Sequence, residues 1–255
     1  MLAIERRNEI LERLQRYKRV VVSELSGDYS VSEETIRRDL ERLENEGYAT
    51  KSYGGAVLNE NSELEMPLNI RKNRNVAEKQ QIAALLAKIV HDGESVMLDA
   101  SSTAVFTAKA LKSKEDLTVI TNSVEILLEL NDMSHWTVLS TGGLSREGVL
   151  ALVGPQTDRM LRSYHVDKTI ISCKGIDMRS GLTDSDELHA KNKKTMLDAA
   201  KEKILAVDGS KFDKQAFIEI CSFYDITMVV TDKKPDAKWI QIFEDRGIEC
   251  VYPEA

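Results

Sequence analysis

Thr35, Arg37, Arg38 and Arg42 lie in the run Val31-Ser-Glu-Glu-Thr-Ile-Arg-Arg-Asp-Leu-Glu-Arg-Leu43, and their chemistry is the most direct in the chain. A guanidinium carries a planar fork of donors that matches guanine edges and phosphate oxygens. Arginines near the start of a short helix therefore suit a recognition helix entering a DNA major groove. Ser32 can cap that helix, Glu33 and Glu34 fall in its first turn where the dipole favours negative charge, and Gly47 offers a stop. At about 100° per residue, Ile36, Leu40 and Leu43 share one stripe, while Thr35, Arg38 and Arg42 project from the far side with Arg37 on the flank. Taken alone, such a face is more often simply solvated; the flanking segments argue otherwise.

A second chemistry lies further along, where apolar runs end in polar loops. Ser95-Val-Met-Leu-Asp99 leads into Ala100-Ser101-Ser102-Thr103 and a helix, so hydroxyls and backbone N–H groups would gather at a helix start, a ready anion site. Thr121-Asn122-Ser123 repeats the arrangement, Thr141-Gly142-Gly143 allows close backbone approach, and Asp208-Gly209-Ser210-Lys211 adds a cation. Together these residues suit a small phosphorylated polyol. Lys174, Gly175, Asp177 and the stretch Thr183–Glu187 are weaker candidates, and Lys193 reads as solvating a helix. Turns and caps use the same residue types, so the case rests on several such loops meeting at one end of a sheet.

The elements that must position these groups follow from periodicity. Ile4, Ile10, Leu11 and Leu14 mark an amphipathic helix over about 3–16. A basic turn, Tyr17 to Arg19, and a short apolar run, Val20 to Val22, follow it. Ser23 can cap a brief second helix carrying Leu25, and Gly27, Asp28 and Ser30 supply the turn before the third. Three helices in under about fifty residues make the helix-turn-helix plan. Tyr48 to Tyr53, Gly54-Gly55 and Ala56-Val57-Leu58 then read as two short strands about a glycine turn. A hairpin in this position is a wing, with Lys51, Ser52, Tyr53 and Gly54 where it would touch phosphates.

Residues 59–75, polar and including Pro67, read as a part-helical connector in which Leu64, Met66, Leu68 and Ile70 are the sparse apolar positions. From Val76 onward, short β-rich runs alternate with helical stretches: 95–99 then 103–111, 117–121 then 123–130, 136–140, 156–162, 168–174, 187–201, 204–208, 227–231, 236–245 and 248–252. That alternation predicts an α/β unit with a mainly parallel sheet covered by helices, and such sheets bind ligands at the carboxyl ends of their strands. The expected division is 1–58 for the winged helix, 59–75 for the linker and 76–255 for the ligand-binding unit.

The chain has 255 residues, 42% of them hydrophobic, and a formal net charge of −7, enough for one small and one medium soluble domain. No apolar run approaches a membrane span and the first residues lack a signal-peptide core, so the expected location is cytoplasmic. Residues 1–56 hold 10 Lys/Arg and 11 Asp/Glu, so DNA binding would rest on a local cationic surface present in two copies. Cys173, Cys221 and Cys250 have no paired spacing and the four histidines form no ligand cluster, which predicts reduced thiols, no metal site and no cofactor.

Several of these residues also carry a family resemblance. Glu5-Arg6-Arg7, Ile10-Leu11, Ser32-x-x-Thr35-Ile-Arg-Arg-Asp-Leu40, Gly47 and Tyr53-Gly-Gly-Ala56 resemble the winged-helix signature of the DeoR family of bacterial transcriptional regulators. Glu78-Lys79, Leu98-Asp99, Ser102-Thr103, Val119-Ile-Thr-Asn122, Gly142-Gly143, Gly175-Ile-Asp177, Gly181-Leu-Thr183 and Asp208-x-Ser210-Lys-Phe212 are similar to its effector domain. The resemblance implies a homo-oligomeric repressor, dimer or tetramer, of a sugar or polyol operon. It would bind double-stranded operator DNA and answer to a phosphorylated sugar through a Rossmann-like fold akin to phosphosugar isomerases. Where many members have Asp-x-Gly-Thr-Thr, this chain has Asp99-Ala-Ser-Ser-Thr103. The rival reading is an isomerase-like enzyme, with Asp99, Asp177, Glu187 and Asp208 as its carboxylates. The Lys-Gly-Gly-Gly-Gly stretch of that enzyme is missing, so no catalytic residue is expected.

Overall fold

The computed structural model describes residues 2–59, 66–146 and 148–254. The chain divides into two compact units, 1–70 and 71–255. The expected connector residues 60–65, Leu64 among them, lie outside the described residues.

The first unit contains α1 (Ala3–Tyr17), β1 (Arg19–Val21), α2 (Val22–Tyr29), α3 (Glu33–Asn45), β2 (Ala49–Ser52) and β3 (Gly55–Leu58). Ile10, Leu11, Leu14, Leu25, Ile36, Leu40 and Leu43 form its core, as the helical stripes require. Ile4 does not join it and stays exposed, while Arg6 takes an inward position on α1. Two local expectations change. Helix α2 starts at Val22, with Ser23 inside it rather than capping it, and Gly27 and Asp28 belong to its last turn, leaving Ser30 at φ 52° as the turn residue. The run at Val20 is a strand: β1 pairs antiparallel with β3, giving a three-stranded sheet in the order β1-β3-β2.

A short helix, α4 (Leu68–Lys72), crosses the boundary between the units. Its Ile70 is buried in the core of the first unit.

The second unit contains α5 (Val76–Ile89), β4 (Ser95–Leu98), α6 (Ser102–Leu111), β5 (Thr118–Thr121), α7 (Val124–Glu129), β6 (Thr137–Ser140), β7 (Leu144–Arg146), β8 (Ala151–Val153), α8 (Pro155–Arg162) and β9 (Val166–Ile171). It continues with β10 (Gly175–Asp177), β11 (Gly181–Asp184), α9 (Glu187–Asp198), β12 (Ala200–Ala206), β13 (Ile218–Cys221), β14 (Met228–Val230), α10 (Ala237–Asp245) and β15 (Glu249–Val251). Seven strands form one sheet in the order β15-β14-β12-β9-β4-β5-β6, and all six pairings are parallel. Side chains alternate between faces along each strand. Val96 and Leu98, Val119, Ile170, Ile204 and Val230 pack with Ile82, Val105 and Ile126 in one core layer. Met97, Ile120, Ile171, Leu205 and Val229 pack with Met196, Leu197, Trp239 and Phe243 in the other. Both faces are covered, which is why these strands read as continuous apolar runs.

Two features escaped the periodicity. The strands β10-β11-β13 form a small antiparallel sheet beyond the end of β9, and β7-β8 form a hairpin. Helix α9 also stops at Asp198, and Ala200 and Lys201, expected to be helical, begin β12. From β4 the chain steps outward to β5 and β6, then returns to β9 and steps the other way to β12, β14 and β15. The order reverses between β4 and β9, and a sheet of this kind opens a crevice there at its carboxyl edge.

Candidate nucleic-acid interface and effector pocket

In the first unit the exposed side of α3 carries the arginines. Ser32 caps the helix by accepting the Thr35 N–H at 3.2 Å, with the two hydroxyls 2.9 Å apart. The end is a Schellman turn: Tyr48 N–H donates to Leu43 O, and Gly47 N–H, at φ 77°, donates to Glu44 O. Between these ends Arg37, Arg38 and Arg42 point outward. Each pairs along the helix, with Glu33 at 2.5 Å, Glu34 at 3.3 Å and Glu46 at 2.9 Å. Exposed pairs of this kind are worth little in water, so a phosphate or a guanine can displace the carboxylate.

The wing presents Ser52, Tyr53 and Gly54 at its tip, with Tyr53 fully exposed and Gly54 at φ 79°. Lys51 leans back on α3, its N–H donating to Glu44 at 2.8 Å and its ammonium 3.4 Å from Glu41. A Cβ at Gly55 would collide with the Val20 carbonyl oxygen, so the β1-β3 contact admits only glycine there. Behind the arginines Asp39 is buried and takes Arg6 at 2.6 Å and Arg7 at 3.6 Å, locking α1 to α3. Nothing in the sequence around Asp39 marks this role.

In the second unit Asp99 ties together the carboxyl ends of β4 and β9. Its carboxylate accepts the Ser101 N–H at 3.1 Å and, on the other oxygen, the Ser172 N–H at 3.1 Å. Ser101 replaces the glycine of the family pattern at φ −80°, an extended conformation open to any residue, and its hydroxyl accepts the Ala104 N–H to cap α6. The helix therefore begins cleanly, with the first N–H groups, those of Ser102 and Thr103, lacking acceptors inside the helix. Lys193 departs from its expected solvated position. It is buried, bonded to Asp184 of β11 and 3.5 Å from Asp99. Burial pushes the Asp184 carboxyl up, but Lys193 and Lys174 more than reverse this and hold it at about 2. Burial raises the thiol of Cys173, within electrostatic reach of Lys193, Lys211, Asp184 and Asp99, to about 12.

The end of β12 adds Asp208, buried, whose Oδ1 accepts from Ser210 N–H at 2.9 Å and Asn75 Nδ2 at 3.1 Å. Burial pushes its carboxyl up while Ser210 and Lys211 pull it below the usual range. Lys211 is itself lowered by burial, with Asp208 opposing. Lys79, missed as a site residue, is buried beside them. Burial lowers it to about 8 against the pull of Asp208.

Other expected residues are occupied by packing. Thr121 Oγ1 donates to Leu98 O at 2.7 Å and accepts from Ser123 N–H, fixing the β4-β5 ends. Asn122 donates to Leu152 O at 3.0 Å while its buried Oδ1 has no partner among the described residues. Gly142 O accepts the Thr157 hydroxyl at 2.7 Å, and a Cβ at Gly143 would collide with that hydroxyl. Asp177 organises its own hairpin turn, accepting the N–H groups of Arg179 and Ser180. Lys174 pairs through its backbone N–H with Thr183 O, within electrostatic reach of Asp184. The signal for Lys193 was in the sequence: it falls on the α9 stripe of Ala190, Met196 and Leu197.

A winged helix joined to a parallel-sheet unit with charged and polar side chains gathered at the carboxyl edge of its sheet defines a DNA-binding regulator with a sensor domain. The family model for the DeoR-like helix-turn-helix domain matches residues 6–62, and that for the DeoR C terminal sensor domain matches residues 74–233. The chain is 42% identical over 98% of its length, and 96% of the relative's, to the uncharacterized HTH-type transcriptional regulator YulB of Bacillus subtilis. It is 28% identical to the glycerol-3-phosphate regulon repressor of Escherichia coli, over 98% of each chain. A solved ribose 5-phosphate isomerase A from Methanocaldococcus jannaschii matches 52% of the chain and 53% of its own, at TM-score 0.38 and 19% identity. The chain belongs to the DeoR family of transcriptional regulators, and its whole-length relatives are regulators rather than enzymes.

Proposed function

We propose that this regulator represses an operon for sugar or polyol metabolism, gripping double-stranded operator DNA with α3 and the wing and yielding to a phosphorylated sugar in the sheet-end crevice. The observation that carries the DNA half is the outward set Arg37, Arg38 and Arg42, each paired with an exposed carboxylate along the helix. The effector half is supported by the hydroxyl and N–H groups of 101–103 after β4 and by Lys211 after β12, with Asp99 and Asp208 as acceptors for sugar hydroxyls. The name of the glycerol-3-phosphate regulon repressor points the same way. The 1–58, 59–75 and 76–255 division belongs to this reading. A homo-oligomer follows from the modest charge of one winged helix: two copies on a symmetric site double the phosphate contacts.

A thermal-shift screen of the purified chain against phosphorylated and unphosphorylated sugars tests the effector half. Stabilisation confined to phosphorylated compounds is expected. Equal stabilisation by the free sugars would defeat it.

A further inference from the structure

We infer that Asn75 is the positioning residue that ties the state of the effector site to the segment leading into the DNA-binding unit, with Asp208 as its sensing end. The inference rests on reading the sheet-end crevice as a phosphate site, and it adds how that site is read out.

The chain leaves the first unit along α4, whose Ile70 belongs to the winged-helix core. The next residues are clamped on the sensor side at three points. Lys72 pairs with Glu125 of α7. The Lys79 ammonium donates to the carbonyls of both Arg71 and Arg74. Asn75, at φ 48° in a left-handed conformation that asparagine tolerates and most residues avoid, donates its side-chain amide to Asp208 Oδ1 at 3.1 Å and lies 3.3 Å from Ser210 Oγ.

Asp208 is therefore shared. On one side it holds the junction amide. On the other it is the carboxylate that opposes the charge of Lys79 and Lys211, while Arg71 and Arg74 add positive charge to the same cluster. An anion arriving at Lys211 competes with Asp208 for that cation and repels the carboxylate, at a buried place where charges are weakly screened. Because Asp208 cannot answer the ligand without altering its bond to Asn75, residues 72–79 report occupancy. The left-handed backbone at Asn75 lets a small change there redirect the chain one turn away from α4. A ligand shifts a conformation only through such a differential interaction.

Hydrogen–deuterium exchange of the full chain, with inorganic phosphate as the probe, tests this. The variant is Asn75→Gly, which keeps the left-handed backbone and removes the amide. In the wild-type chain phosphate should slow exchange at 101–105 and change exchange at 72–79 by about fivefold or more, the low end of site-to-site coupling. In N75G the slowing at 101–105 should remain and the change at 72–79 should vanish. If Asn75 were merely structural, N75G would loosen 72–79 equally with and without phosphate and leave the phosphate-induced change intact, which overturns the inference. A wild-type response at 101–105 alone also overturns it while leaving the phosphate site standing. No wild-type response at either segment removes the site and the relay together.

Discussion

Arg38 and Lys193 are both cations beside carboxylates, and burial gives them opposite tasks. Arg38 is solvent-exposed and its bond to Glu34 is weak, so the guanidinium is available to a partner. Arg38→Ala should therefore leave thermal stability nearly unchanged and cost about 1–3 kcal/mol of operator affinity, read by titration of labelled duplex. Lys193 is enclosed between Asp99 and Asp184 and cannot leave without stranding two buried carboxylates. Lys193→Met should destabilise the sensor unit by about 3–5 kcal/mol in chemical denaturation. The pH dependence follows from Asp184. Its folded carboxyl, at about 2, lies below its ordinary value of 3.8. Its contribution is thus complete above pH 3.8 and is lost as pH falls toward 2. The wild-type chain should lose stability across that window, and Asp184→Asn should flatten that part of the curve. An unchanged acid limb in the variant would show that Asp184 is not held by Lys193.

At the level of elements, the helices and strands were legible where one period ran for several turns. The α3 stripe, its serine cap and its glycine stop all appear at their expected places, because local propensity and tertiary packing agree there. The parallel strands were legible because both faces are buried. What failed was short or inverted. Strand β7 (Leu144–Arg146) is exposed throughout and β10 starts at a glycine, so neither shows an alternation to read. The site was only half legible for a related reason. Loop residues such as Asp99 and Asp208 advertise themselves, but Lys193, Lys79 and Asp39 lie on inward helix faces, where a charged side chain signals nothing until its buried partner is known. The wing offers a test at this scale. Gly55→Ala would place a methyl against the Val20 carbonyl, so it should lower the unfolding midpoint of the winged helix and weaken DNA binding together. Gly54→Asn should leave the unfolding midpoint unchanged, because Gly54 has open space around its Cβ and asparagine tolerates positive φ. Circular dichroism melts of the two variants separate these outcomes.

Over the whole molecule, a weakly charged winged helix is joined to an acidic sensor unit, and both facts shape how the protein must work. With 10 Lys/Arg against 11 Asp/Glu in residues 1–56, general attraction to DNA is small, so discrimination has to come from a few placed guanidinium groups. No described helix is long and apolar enough to cross a membrane. The most direct measurement is selection of binding sites by the full chain from a random double-stranded pool, run in parallel with an Arg37→Ala, Arg38→Ala double variant. The wild-type chain should enrich one motif with repeated half-sites about one helical turn apart, and the double variant, still folded, should enrich none. Enrichment of the same motif by both proteins, or of no motif by either, would contradict this expectation.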